Sequence, residues 1–515
     1  MDRYTSSHPQ FEYLGKLDSL PQHALLLSPF SLTSAQSISE KITWGKCSHP
    51  YDDVTSVALE CGALTVPLDY ADAESNGTHI LDLIKTPAKD QPSEGTIVMS
   101  FGGQAGAHHR DLRFSCYDSD EDRLMATTPH PLCIFPESSD AAVGRLWAEG
   151  KSLADRCYEK LKDIGEYVGT AYTTRDVMQI VDAIDEGRAH AELLRQVFCM
   201  SYSTALGATI AAMFPDRIRT MILDANLNPH EYYNTFVNPE MMTDADAAFS
   251  AFLSECIAAG PSKCALASTN TTAADLELTI RSLIEATKYH PIPFPPSTIQ
   301  PDALWGGSLL DYSALNNMMA LALYSPTTFP IMASRLQGLI EGNLTALAAW
   351  RDISLGSRYG FEVEALQSIR CSDHRKRATS VEEVLPEMEA ARRISWYGGN
   401  AAFDHSLFTM PCANWRFDAK ERYAGNFQVR TKNPVLLVGQ TYDPVTPMAS
   451  ARNISAGFEG SVVLEVMGFG HVTFAHPSEC ANKIMRANFA DITVPEAGTK
   501  CEPDRGGCLI WCLRG

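Results

Sequence analysis

The chain has 515 residues, 45% of them hydrophobic and 20% charged, a balance that excludes wholesale disorder and suits one large core with an insertion, or two or three domains. Its 42 Lys and Arg face 62 Asp and Glu, and the net charge of -20 argues against nucleic acid or an anionic membrane as partner. No uninterrupted apolar run approaches the length a bilayer needs, so no stable membrane insertion is expected.

Residues 1–45 are rich in Ser and Pro and weakly patterned, and read as a tail or a degenerate signal region. The short apolar patch 24–32 is broken by Pro29 and preceded by Asp2, Arg3, Glu12, Lys16 and Asp18, which makes a poor signal peptide. Three readings stay open: an internal or degenerate signal, a start other than Met1, or a protein that remains in the cytoplasm. The 14 cysteines lack the paired spacing of zinc sites and point to disulfides, with no metal expected. Sequons at Asn76, Asn270, Asn343 and Asn453 fit a secretory route and a glycoprotein.

Cys47 and Cys61 bracket a loop that a disulfide can close. The run 79–85 suits an early strand, and 96–101 a buried strand that empties into Gly102-Gly103-Gln104-Ala105-Gly106. Such a loop can cradle a phosphate, serve as a hydrolase oxyanion loop, or be a plain tight turn. The dinucleotide spacing and the P-loop ending are both absent. Val177, Ile180, Val181 and Ile184 fall on one helical face, and Thr173, with Asp176 three residues on, is placed to cap that helix.

Next comes an apolar strand, 197–200, that runs into a small-residue helix, 204–213, with Ser201 at the corner. A serine at a sharp strand-to-helix turn is exposed for attack and faces free backbone N–H groups, which is what a nucleophile needs. The usual Gly-x-Ser-x-Gly signature is altered here, with Cys199 and Ser203 in place of both glycines. Cys199 is a second candidate nucleophile, but a cysteine on a buried strand ordinarily behaves as a small inert hydrophobe. A strand at 219–226 completes an alternation of helix and strand that implies a parallel sheet.

From 231 to 430 the pattern turns helical, with segments at 247–258 and 314–323, and Cys256 can pair with Cys264 and Cys371 with Cys412. Strands resume at 434–439 and 461–467, followed by a helix at 480–489. Asp443 lies just past the first of these strands and His471 just past the second. The order Ser201, Asp443, His471 is that of an α/β-hydrolase triad, whose members converge because parallel strands end on one edge. Ser201 then attacks, His471 carries the proton, and Asp443 fixes the histidine tautomer.

These residues, with the run 61–70, Tyr172-Thr173-Thr174, Phe214-Pro215-Asp216-Arg217, Leu223-Asp224, Cys371 with Asp373, Cys412 with Trp415 and the run 443–447, carry a resemblance. The chain resembles the secreted tripeptidyl-aminopeptidase-like branch of the proline iminopeptidase family of α/β-hydrolases, over roughly residues 45–505. The resemblance implies a mostly parallel sheet in two core parts, 46–230 and 431–505, and a helical cap at 231–430, while the stretch 506–515 has no counterpart in the family and reads as a tail. It also implies an oxyanion hole from the N–H groups of Gly103 and Tyr202, a pairing of Cys480 with Cys501, and no cofactor. The implied substrate is a short peptide cut near its free N-terminus, its amine held by a carboxylate in the cap, and Asp373 is either that group or a structural residue. The chain departs from the family at the two elbow glycines and at Gln104, where the family loop has proline. Two other functions stay in view: the same chemistry on an ester, thioester or lactone of a small acyl metabolite, and a non-catalytic binding protein with a degenerate elbow.

Overall fold

The computed structural model describes residues 23–27, 42–47, 58–89, 95–102, 114–127, 134–185, 195–268, 270–294, 308–343, 361–397 and 404–504. In chain order the first part comprises β1 (His23–Leu27), β2 (Thr43–Lys46), β3 (Glu60–Pro67), β4 (Thr78–Thr86), β5 (Thr96–Ser100), α1 (Ala142–Lys160), α2 (Thr170–Asp185), β6 (Arg195–Met200), α3 (Ser203–Met213) and β7 (Ile218–Asp224). There follow α4 (Ala245–Ala259), α5 (Ala273–Ala286), β8 (Ile292–Phe294), β9 (Ser308–Leu310), α6 (Tyr312–Leu323), α7 (Phe329–Glu341) and α8 (Phe361–Asp373). The last part is β10 (Val435–Tyr442), α9 (Met448–Gly457), β11 (Val462–Phe469), α10 (Glu479–Asp491) and β12 (Lys500–Cys501).

One sheet runs β12-β11-β10-β7-β6-β5-β1-β4-β3-β2, parallel from β12 through β1 and antiparallel beyond. Central strands must be apolar on both faces because helices cover both. β7 is buried at every position but Arg219, and β10 over its first six residues. Register sets Ser100 beside Cys199, and Met200 and Val438 beside Asp224, so the carboxyl ends of β5, β6, β7 and β10 share one edge. This is the mostly parallel α/β arrangement expected from the sequence.

His23–Leu27 departs from the tail reading: it pairs in parallel with β5 and antiparallel with β4 inside the sheet. A parallel strand is identified by partners far away in the chain, and the local pattern around Pro29 gave no hint of them. The helix expected to start at Thr173 starts at Thr170 instead. There the Thr170 N–H donates to Asp373 Oδ1 at 2.8 Å, while the Thr173 hydroxyl bonds the Gly169 carbonyl and Asp176 accepts from Tyr70. A tertiary partner from α8 therefore sets that helix end, in place of a local cap.

The stretch 231–430 packs in two ways. Phe249, Phe252, Leu276, Ile280, Met319 and Leu336, from α4 to α7, form a core of their own that meets β11 at Phe469. Leu366, Ile369, Met388 and Trp415 instead join the large core beneath the sheet, with Leu146 and Val177. Disulfides link Cys47–Cys61, Cys256–Cys264, Cys371–Cys412 and Cys480–Cys501 as expected, and a fifth links Cys116–Cys157. Cys133, Cys508 and Cys512 lie outside the described residues. Among the described residues no helix is long and apolar enough to cross a membrane.

Candidate active site

The corner after β6 is built by close packing. Ser201 takes a left-handed backbone, φ 56°, which costs a residue bearing a side chain about 1–3 kcal/mol unless its surroundings hold it there. Its N–H donates to the Asp224 carbonyl at 3.0 Å, and its own carbonyl accepts from the Thr204 N–H at 2.8 Å and the Thr204 hydroxyl at 2.6 Å. Gly102 lies directly over the corner. A Cβ there would stand 2.4 Å from Ser201 Cβ, 2.5 Å from the Met200 carbonyl oxygen and 2.6 Å from the Tyr202 nitrogen, so no larger residue fits.

The two replaced glycines are accommodated. Cys199, 1% exposed, sits under α3 where Gly207 leaves room: a Cβ on Gly207 would be 3.1 Å from the Cys199 sulfur and 2.4 Å from Leu223 Cδ2. Burial pushes the Cys199 thiol up to about 12, so it stays protonated and is no nucleophile at neutral pH. Ser203 is fully buried, and its hydroxyl pairs with Ser100 Oγ at 2.8 Å and donates to the Phe101 carbonyl at 3.1 Å. The close approach of strand, corner and helix is kept by moving one glycine eight residues on, to 207, and by tying the other position to β5.

The three residues singled out by their order come together. Ser201 Oγ lies 2.7 Å from His471 Nε2, and His471 Nδ1 lies 3.0 Å from Asp443 Oδ2 and 3.2 Å from Oδ1. This fixes the neutral tautomer with the proton on Nδ1 and leaves Nε2 to accept from the serine. Asp443 is fully buried, while the His471 side chain is 10% exposed, so the imidazole reaches the surface of the site. Asp443 Oδ1 accepts the N–H groups of Val445 and Thr446, both at 2.9 Å, and Oδ2 accepts the Thr446 hydroxyl at 2.7 Å. The Thr446 oxygen also lies 3.0 Å from His471 Nδ1.

The histidine loop is held from three sides. The His471 N–H donates to the Tyr324 carbonyl at 2.8 Å, and the Tyr324 ring stands edge-on to the imidazole at 5.1 Å, so the end of α6 reaches the site. Gln440 Nε2 donates to the Val472 carbonyl at 2.6 Å, and Asp224 accepts from Thr473. Gly470 has φ 92° and faces the Tyr324 carbonyl, which a Cβ would meet at 2.6 Å. Thr446 and Asp224 were named in the sequence only within the runs 443–447 and Leu223-Asp224, with no role of their own, and Tyr324 was not singled out.

Of the expected oxyanion donors, Tyr202 stands at the start of α3, and its N–H makes no hydrogen bond among the described residues, as suits the first turn of a helix. Gly103 lies outside the described residues, with Gln104, Ala105 and Gly106. Asp373, the candidate amine holder, is 1% exposed. Its oxygens are taken by the Thr170 N–H, the Thr170 hydroxyl and the Tyr232 hydroxyl, and burial pushes its carboxyl up to about 6. It ties α8 to the start of α2, with both oxygens engaged and the group shut off from solvent. The Thr170 hydroxyl also meets Tyr202 Oη at 3.0 Å, so this buried network backs the residue after Ser201.

Comparison with known proteins agrees with the fold. Residues 400–501 match a family model described as TAP-like protein. The chain is 24% identical over 503 residues to the serine protease Hip1 of Mycobacterium tuberculosis (strain ATCC 25618 / H37Rv), covering 90% of this chain and 91% of that one. It is 23% identical over 229 residues to the tripeptidyl aminopeptidase of Streptomyces lividans, covering 39% of this chain and 41% of the relative.

Proposed function

The chain being a serine hydrolase of the α/β-hydrolase fold with a TAP-like C-terminal segment, we propose that it is a peptidase that releases short peptides from free N-termini through an acyl-enzyme. One observation carries the chemistry: the hydrogen-bonded series from Ser201 Oγ through His471 to Asp443 at the carboxyl edge of the sheet. Ser201 Oγ attacks the scissile carbonyl carbon while its proton passes to His471 Nε2. Asp443 stabilises the imidazolium, and the oxyanion faces the N–H groups of Tyr202 and Gly103. His471 then protonates the leaving amine, and water, activated by the same imidazole, frees the acyl group. The steps call on no metal or cofactor.

Residues 231–430 act as the cap that limits how much of a peptide enters, a reading supported by the reach of Tyr324 to the histidine loop. Export from the cell is part of the same proposal. Five disulfides suit an oxidising compartment, and the sequon residues Asn76, Asn270 and Asn343 are exposed.

A fluorophosphonate probe and paired peptide substrates test the reading. The wild type is expected to be labelled and Ser201→Ala not, and cleavage is expected for free N-termini but not for acetylated ones. An unlabelled, well-folded wild type would sink the catalytic reading. Ester turnover without peptide turnover would move the substrate class to a small acyl ester, thioester or lactone.

A further inference from the structure

The carboxylate at the end of β7 is unused by the chemistry above. Asp224 is fully buried, and among the described residues no Lys or Arg is paired with it. Its side chain takes the Thr473 N–H at 3.1 Å on Oδ2 and 3.3 Å on Oδ1, and the Thr473 hydroxyl at 2.6 Å on Oδ2. Its backbone carbonyl takes the Ser201 N–H at 3.0 Å. One residue therefore holds the nucleophile by its main chain and the loop of the base by its side chain.

That loop needs holding. Val472 lies between His471 and Thr473 with φ 64°, a conformation that a β-branched residue adopts only when its surroundings impose it. The groups on either side of the Val472 peptide are both engaged: its carbonyl by Gln440 Nε2 at 2.6 Å, and the next N–H by Asp224. Ala225, just after Asp224, is also left-handed at φ 63°, and its N–H donates to the Val438 carbonyl at 2.9 Å. Ser201, Ala225 and Val472 are thus three left-handed corners that meet around one residue, Asp224. A buried charge with only neutral donors is costly, and a neutral side chain of the same shape would serve packing as well or better.

The structure assigns Asp224 the role of a positioning residue that sets His471 at proton-transfer distance from Ser201, acting through Thr473. The assignment rests on the proposed roles of Ser201 and His471. Asp224 does not touch the reacting atoms. It fixes the loop whose displacement would open the 2.7 Å gap between Ser201 Oγ and His471 Nε2.

Steady-state kinetics on Asp224→Asn, Thr473→Val and Thr473→Ser, with fluorophosphonate labelling rates, test it. A displacement of this kind slows chemistry with little effect on binding. Asp224→Asn is expected to lose about 10- to 100-fold in kcat, with KM within about twofold, and labelling should slow in parallel. Thr473→Val is expected to lose about tenfold in kcat, and Thr473→Ser, which keeps the hydroxyl, to return to within about threefold of wild type. Should Asp224→Asn fail to fold, the two Thr473 variants carry the test. Wild-type kcat in Thr473→Val, or a Thr473→Ser variant as slow as Thr473→Val, overturns the assignment. A wild type that labels while the variants keep its rate overturns the positioning role alone, and a wild type that does not label overturns the site reading with it.

Discussion

Replacing Asp224 by Asn should make the protein more resistant to unfolding at neutral pH. Burial pushes the Asp224 carboxyl up from 3.8 to about 6, against the opposing effect of the bonds from Thr473. The native state therefore holds this proton more tightly than the unfolded chain does. The stability the group contributes is fully present below pH 3.8 and is lost as pH rises through about 6. A shift from 3.8 to about 6 corresponds to about 3 kcal/mol of penalty on the ionised form. Asn carries no such penalty at any pH. Thermal unfolding of the two proteins from pH 4 to pH 8 measures the difference directly. The variant's midpoint relative to wild type should climb by roughly 2–3 °C across that range, most of it between about pH 4.5 and 6.5. Asp373 and Asp404, whose carboxyls burial also raises to about 6, titrate in both proteins and cancel in the difference. A midpoint difference that stays flat, within about 1 °C, would refute the claim that Asp224 is ionised and uncompensated in the folded protein.

Three other substitutions read the elbow and its supports. Gly102→Ala drives a Cβ into the backbone at Met200 and Tyr202 and should cut kcat by about 100-fold, measured by steady-state hydrolysis, because the nucleophile must move. Ser203→Gly, which restores a signature glycine, should lower stability by about 1–2 kcal/mol in denaturant titration, since the Phe101 carbonyl and Ser100 hydroxyl lose their partner. Thr446→Val leaves Asp443 Oδ2 one donor short and should reduce kcat by about tenfold while leaving KM unchanged, with Thr446→Ser recovering most of the loss.

The parts of this molecule that were legible in advance are those with a local signature. Ser201, Asp443 and His471 each stand just past a largely apolar strand, and a parallel sheet turns that shared position into proximity. Four disulfides could be paired from spacing or family likeness, but Cys116–Cys157 was marked by neither. The start of α2 was misplaced because Asp373, 203 residues away, caps Thr170. Asp373 could be read either as an amine holder or as a structural residue, because sequence cannot show that its oxygens are already engaged. β1 was read as tail because its partners lie in β4 and β5. Asp224 and Thr473 act only as a pair, 249 residues apart, and such a pair has no pattern to read.

The left-handed corners at Ser201, Ala225 and Val472 also bear on synthesis. A ribosome releases residues 1–230 with the serine in place but without β10 and β11, which supply the Val438 carbonyl, the acid and the base. The half-made chain carries the Ser201 hydroxyl without the imidazole that lies 2.7 Å from it in the folded protein. On the proposed roles, the acid and the base arrive only with the last eighty or so residues, once the distant strands have docked. On those roles, a premature stop before residue 471 leaves a serine without its base.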